Sequence, residues 1–493
     1  MRGSAGLVPW LDLDQHDDVP LYLQLYEQVR RAVLSGRLGP GARLPSSRTL
    51  AGELGLSRAT VIQAYDRLWS EGYLEAKVGS GTRVTATLPE ERLAAAASAR
   101  RAPEHRAAVR LSRRAEALVP TLAGAGQLDV PRPFLPGYPA IDLFPIAIWR
   151  RLAWRRLRSR NQVDLLRPPE PAGHPGLRSA IAEHLRLTRG VRCTAEQVVI
   201  TTGTQQALAR LSALLLDPGD AAWIEDPGYL GARRALGAAG ARLVPVPVDG
   251  AGIDVDAGIA REPRARLAYV SPSHQFPTGA TMSLERRLRL LQWSRDQDAW
   301  ILEDDYDGEY RYEERPLQAL QGMDGSGRVI YMGTFGKILF PSLRLGYAVL
   351  PASLVSAFVA ARAADDGSPP LLEQLVLTDF LRGEHLARHL RRMRLVYRDR
   401  RDALLEALAQ RCGSSLTPGP AGAGIHLAAT LHRGDDRVIA KLAAGRGLTA
   451  FALSEFALEP RAPGGLVLGF AGWSPARLRN AVDLLAAVLA GSR

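Results

Sequence analysis

Lysine is almost missing from this chain. Of 63 basic residues among 493 positions, only three are lysines, Lys77, Lys337 and Lys441, and the rest are arginine. Cysteine is scarcer still: Cys193 and Cys412 stand far apart, which excludes a disulfide framework and closely spaced thiolate metal sites. No metal site and a reduced, cytoplasmic setting are expected. No basic-then-apolar leader and no apolar run long enough to cross a bilayer is visible, so no membrane association is expected. Aromatic residues make up 6%, charged residues 23% and apolar residues 46%, a globular profile, and the length calls for two or three domains. Positive charge is abundant, with a net +12 that suits a polyanionic partner, although an arginine-rich, GC-rich genome produces the same excess.

Composition divides the chain into an N-terminal segment (1–19), a short-helix module (20–86), an Ala/Arg-rich linker (87–130) and a large domain (131–493). The linker contains "ERLAAAASARRAPEHRAAVRLSRR", with no apolar stripe to bury. In the large domain the strand-like runs "QVVIT", "AAWIED", "RLVPVPV", "RLAYVS", "AWILED" and "RVIYM" alternate with helix-length amphipathic segments. That alternation predicts an α/β domain with a mostly parallel sheet.

In the module, "LYLQLYEQVRRAVLSG" places Leu21, Leu25, Val29 and Val33 on one helical face, ended at Gly36. Ser46 or Ser47 caps a short helix carrying Leu50 and Leu54, and Gly55 breaks it. Ser57 caps a second helix with Val61, Ala64, Tyr65 and Leu68 inward, and "EAKVGSGTRV" reads as a glycine-tipped hairpin carrying Lys77. Two short helices around a glycine turn, followed by a hairpin, predict a winged helix-turn-helix (α+β), with Arg58 and Thr60 nearest the DNA.

Lys337 lies in "GTFGK", after an apolar strand. Arginine stays protonated, whereas a lysine amine deprotonates on burial and attacks carbonyls, so a Schiff base to an aldehyde cofactor is the natural chemistry here. Pyridoxal 5′-phosphate (PLP) further needs an acid, a phosphate cup and a stacking ring. The acids of "ILEDDYDGEY" fall at a strand's C-terminal end. Helix-opening amides at Thr204 and Gln205, with Thr334 and Arg344, suit a phosphate, and Tyr229 suits the ring.

The stretches "PLYLQLYEQVRRAVLSGRLGPGARLPSSRTLAGELGLSRATVIQAYDRL" and "EGYLEAKVGSGTRV" resemble the GntR regulator family. That resemblance implies DNA contacts by Arg48, Arg58, Thr60 and the wing around Gly79, and dimeric binding to operator half-sites. From about Pro131, "SPSHQFPTG", "EDDYDGEYRY" and "GTFGKILFPSLRLGY" resemble fold-type-I PLP-dependent aminotransferases. The fusion resembles the MocR class of regulators, which includes GabR-like and PdxR-like members. It implies that Lys337 carries the cofactor, Asp304 holds the pyridine nitrogen protonated and Tyr306 lies beside the cofactor's ring oxygen. Tyr229 then stacks on the ring, and Thr204, Gln205, Thr334 and Arg344 take the phosphate. A head-to-tail homodimer with exchanged DNA-binding modules is also implied.

Four departures bear on function. Phe276 stands where aminotransferases place an asparagine that bonds the ring oxygen, Gly336 where a serine is common, and Pro168 where relatives place a tyrosine. Val467 replaces the arginine that pairs with a substrate carboxylate, and Arg461, six residues earlier, is the candidate substitute. The expected function is a PLP-binding transcriptional regulator sensing PLP, as in control of vitamin B6 synthesis, or an amine adduct of it. An active aminotransferase carrying a DNA-binding module is the alternative.

Overall fold

The computed structural model describes residues 10–15, 17–77, 81–88, 130–158, 165–312, 318–459 and 464–491. The chain forms two compact units, residues 1–110 and 111–493. The boundary falls in the stretch expected to be a linker, most of which lies outside the described residues.

The first unit packs α1 (Leu21–Leu34), α2 (Ser47–Leu54) and α3 (Arg58–Ser70) beside the hairpin β1 (Leu74–Lys77) and β2 (Gly81–Val84). Leu25, Val29 and Val33 of α1 are buried against Leu50, Val61, Ala64, Tyr65 and Leu68, whereas Leu21, expected on the same face, is only half-buried at the helix start. Of the two serines proposed as cap, Ser46 accepts the Thr49 amide at 3.2 Å and Ser47 opens the helix. Ser57 accepts the Thr60 amide at 3.1 Å, satisfying an otherwise unpaired donor of α3. Between the helices Gly55 takes φ 65°, a left-handed turn that a side chain resists.

The second unit centres on an eight-stranded sheet in the order β3-β10-β9-β8-β7-β4-β5-β6. Its strands are β3 (Val198–Thr201), β4 (Ala221–Asp226), β5 (Arg242–Asp249), β6 (Gly252–Ile253), β7 (Leu267–Val270), β8 (Trp300–Asp305), β9 (Val329–Thr334) and β10 (Gly346–Val349). The run β9-β8-β7-β4-β5 is parallel; β10 and β6 are antiparallel to their neighbours. All six expected strands are present. Five of them, β3, β4, β7, β8 and most of β9, are buried along both faces, as their mostly apolar runs require.

Helix α4 (Pro175–Arg189) packs near β3, and α5 (Thr204–Leu215) follows β3 directly. The last third of the chain builds a four-stranded antiparallel sheet, β11-β12-β14-β13, from β11 (Leu416–Pro418), β12 (His426–Leu431), β13 (Phe451–Ala452) and β14 (Gly465–Gly469). Strand ends β8 and β9, the start of α5 and the beginning of β12 converge on one site.

Candidate functional site

Strand β8 sorts a run of acids by the two-residue alternation of strand side chains. Glu303 is turned away and caps a short helical turn, accepting the Leu320 and Gln321 amides at 2.8 Å each. Asp305, on the same face, accepts Arg189 Nε at 2.7 Å and the Tyr331 hydroxyl at 2.5 Å, a buried ion pair that ties β8 to α4. Asp304 points the other way. It is 3% exposed, its Oδ2 accepts the Tyr269 hydroxyl at 2.7 Å, and its Oδ1 has no partner among the described residues. Burial, reinforced by Asp305 and Asp307, raises its pKa to about 7 against the pull of Tyr269 and Lys337.

Lys337 follows β9, and its Nζ donates to the Gly137 carbonyl at 3.0 Å. Burial lowers its pKa, opposed first by Asp307 and then by Asp304. Beside it stands a group that the sequence left without a role. His274 Nδ1 lies 3.0 Å and 3.2 Å from the two carboxylate oxygens of Asp307 and 3.1 Å from the Tyr306 hydroxyl. The His426 ring is 4.9 Å from that of His274. Burial, then His274, hold His426 well below the ordinary imidazole range, so it is neutral; the Pro277 carbonyl opposes that shift, and Lys337 adds to it. His274, Asp307 and His426 offer potential ligand atoms within 4.8 Å of one another. The Lys337 amine shares that space, and its charged form would repel a metal ion. "SPSHQFPTG" and "EDDYDGEY" had both been singled out, but histidine and aspartate 33 residues apart have no spacing that pairs them.

A wall of rings closes the site. Phe276 packs edge-on to Tyr229 at 6.1 Å and to Tyr306 at 6.3 Å, and lies 5.0 Å from His426 and 5.1 Å from Phe456. Burial raises the Tyr229 phenol to about 12, while Arg234 and Arg344 pull it down. The segment carrying Phe456 is latched to the end of β4. Asp226 accepts the Leu458 and Glu459 amides at 2.6 Å and 3.1 Å, and Gly228 donates to the Phe456 carbonyl at 2.9 Å.

At the start of α5, Gly203 is the cap residue with φ 130° and no side-chain cap, so the helix-opening amides can serve an anion. Thr334 closes β9, and its Oγ1 accepts the Gly336 amide at 3.1 Å. Arg344 is exposed in a left-handed conformation, φ 50°. The Gln205 side chain donates to the Gly231 carbonyl at 2.9 Å and accepts from the Tyr229 hydroxyl at 3.3 Å. It holds the Tyr229 ring in place, and its backbone amide remains open at the helix start. Val467 is buried between Ala428 and Phe451 on neighbouring strands; Pro168 is exposed, and Arg461 lies outside the described residues.

In the first unit, Arg48 and Arg58 are exposed near the starts of α2 and α3, with Arg58 Nε 3.4 Å from Ser47 Oγ. Thr60 is held by the cap, its hydroxyl 2.8 Å from that of Ser57. Lys77 pairs its backbone with Gly81 at the wing; its side chain and Gly79 lie outside the described residues. Arg43, exposed at the wing's base, pairs its backbone with Arg83, and its side chain lies against Gly81.

PLP fits these residues. The orphaned Oδ1 of Asp304 can accept from a pyridinium N–H, the uncapped amides at the start of α5 can hold an anion, and burial tunes Lys337 towards a free amine. The family model for bacterial regulatory proteins of the gntR family matches residues 21–84, and that for aminotransferase class I and II matches residues 151–485. The chain is 43% identical, over 96% of its own length and 95% of the relative's, to the probable rhizopine catabolism regulatory protein MocR of Rhizobium meliloti. It is 32% identical, over 96% and 98%, to the pyridoxine biosynthesis transcriptional regulator PdxR of Corynebacterium glutamicum. Among solved structures, LysN, an alpha-aminoadipate aminotransferase of Thermus thermophilus, aligns with TM-score 0.67 at 29% identity, covering 77% of this chain and 95% of that one. A kynurenine aminotransferase of Pyrococcus horikoshii aligns with TM-score 0.68 at 26% identity, over 80% and 98%.

The class is thus a gntR-type helix-turn-helix joined to an aminotransferase-fold domain. Within it, the chain belongs to the MocR type of transcriptional regulator.

Proposed function

We propose that this chain binds operator DNA through α3 and the wing, holds PLP at Lys337, and changes its promoter binding with the state of that site. The observation that carries the reading is the buried, half-unpartnered carboxylate of Asp304 in the site that also holds Lys337. An unsatisfied buried acceptor is costly unless a ligand completes it. Bound PLP supplies an aldehyde that joins covalently to an amine. Of the chain's own groups, Asp304 holds a proton on the ring nitrogen, Tyr229 and Phe276 exclude water from the ring, and the amides of Thr204 and Gln205, with Thr334 and Arg344, hold the phosphate. In the DNA-binding module, Arg48, Arg58, Thr60, Lys77 and Gly79 face the duplex.

The regulator acts as a homodimer on two half-sites, and its signal is PLP itself or an amine that reacts with it. Ligand shifts DNA affinity only by binding the dimer's conformations unequally. The intact set Lys337, Asp304 and Tyr306 supports a second reading, a working aminotransferase. Phe276 and Val467 favour the regulator, because the first cannot donate a hydrogen bond and the second cannot anchor a carboxylate.

The test is promoter binding by the full chain, measured with and without PLP and with candidate amines, beside the visible spectrum of the same samples. A PLP- or amine-dependent change in DNA affinity supports the regulator. Sustained keto-acid-dependent turnover without such a change supports the enzyme.

A further inference from the structure

The hydrogen bonds around His274 leave one proton unaccounted for. Two oxygens, from Asp307 and Tyr306, address a single ring nitrogen, Nδ1. A carboxylate only accepts, so a bare Nδ1 would set a lone pair against the Asp307 oxygens. The hydrogen therefore sits on Nδ1 and is shared between Asp307 and the phenol oxygen of Tyr306. Tyr306 cannot donate to a nitrogen that already carries a hydrogen, so its own O–H must turn elsewhere. Among the described residues no other hydrogen-bond partner of the Tyr306 hydroxyl is recorded.

Asp307 is itself fixed, since Oδ2 also accepts the Ile425 amide at 3.3 Å. His274 is 2% exposed, and its Nε2 has no partner among the described residues, which agrees with the bare lone pair of an Nδ1–H tautomer. Phe276 sharpens the point: it packs edge-on to Tyr306 at 6.3 Å and has no donor. Tyr306 must serve alone where a second donor would otherwise stand.

We propose that His274 and Asp307 are positioning residues that lock the Tyr306 hydroxyl as a donor directed into the cofactor site, towards the ring oxygen of bound PLP. The inference rests on the reading of Lys337 as the PLP lysine. The pair acts through tautomer and direction and touches no reacting atom. Burial, then Asp307, Asp304, Glu225 and Asp305, keep the Tyr306 phenol protonated far above ordinary pH, so the proton is present to be aimed. Across the site, the neutral His426 and Lys337 complete the titratable groups facing it.

Two measurements test this. The first is the 15N spectrum of histidine-labelled, cofactor-free full chain, with His274 assigned by comparison with His274→Asn. The expected signature is a protonated Nδ1 and a bare Nε2; a protonated Nε2 with a bare Nδ1 overturns the proposal whether or not PLP binds.

The second is the pH midpoint of the visible band of the PLP-loaded protein. A donor to the ring oxygen stabilises its negative charge and favours the deprotonated chromophore, so losing the donor raises the midpoint. Tyr306→Phe and His274→Leu should each raise it by about one unit, a tenfold change in the equilibrium. His274→Asn, whose amide can stand in for Nδ1–H, should keep the wild-type midpoint. The double variant His274→Leu/Tyr306→Phe should move no further than Tyr306→Phe alone. A His274→Leu shift that persists undiminished in the Tyr306→Phe background, or no shift at all, overturns the proposal. Absence of a visible band in the wild type refutes the PLP reading instead, and the nitrogen spectrum still decides the tautomer.

Discussion

The two units place their functional residues in opposite environments. In the winged unit, Arg48 and Arg58 stand in solvent on helices whose caps and buried stripes do the holding. In the large unit, Asp304, Asp307 and His426 are buried, and burial is the main reason that Asp304 holds its proton more tightly and Lys337 and His426 less tightly than in water. A DNA-facing arginine contributes through a field that acts across the surface and weakens with salt, so its scaffold needs only to present it. A cofactor-facing carboxylate has been stripped of water before its ligand arrives, and the fold bears that cost in advance. Substitutions should therefore separate the units cleanly, with large cofactor effects from buried groups and moderate DNA effects from exposed ones.

The largest expected effect is Lys337→Ala. It should abolish the visible band of bound PLP and the ligand-dependent change in promoter affinity, while leaving ligand-free promoter affinity unaltered in a binding titration. A variant that still responds normally to ligand would break the comparison at its strongest point.

Asp304→Asn comes next and has two readouts. Losing a charge-assisted hydrogen bond should weaken PLP binding by about 10- to 100-fold. In the cofactor-free protein the sign reverses. A carboxyl with a raised folded pKa binds its proton more tightly when folded, so its contribution to stability falls as pH rises through the window from 3.8 to about 7. Roughly three pKa units correspond to about 4 kcal/mol. Denaturant titrations at pH 5 and pH 8 should show the substitution relieving a loss that is partial at pH 5 and complete at pH 8, as PLP also should in the wild type.

Arg58→Ala should weaken promoter binding by about 1–3 kcal/mol, or flatten its salt dependence, with PLP affinity unchanged. The smallest effect is that of Ser57→Ala, which removes the cap of α3 and should lower the stability of the first unit by about 1 kcal/mol in thermal melts. Loss of PLP binding in either variant would mean that the two units do not fail independently.

The winged unit was legible in the sequence almost residue by residue, because caps, glycine turns and a 3.6-residue stripe are local signals. Between the alternatives Ser46 and Ser47, only the observed Thr49 amide decides. In the large unit the strands were legible from their apolar runs, and Lys337 from the scarcity of its kind. Which acid of "EDDYD" served which partner was not, because that depends on the face of β8 on which each falls and on arginines and tyrosines more than 25 residues away in sequence. His274, Asp307 and His426 meet only after β7, β8 and β12 have been brought together. The side chain of Gln205 went to Tyr229 and Gly231 for a similar reason: the start of the following helix packs against α5.

The Gly137 carbonyl holds the Lys337 amine at 3.0 Å, and Gly137 belongs to the first described stretch beyond residues 89–129, which lead back to the DNA-binding module. Once that amine is committed to another bond, the carbonyl loses its donor and must find a new one or move. The lysine is thus moored to the stretch at which the described part of the large unit begins, and whatever forms at that amine is felt first by the Gly137 backbone.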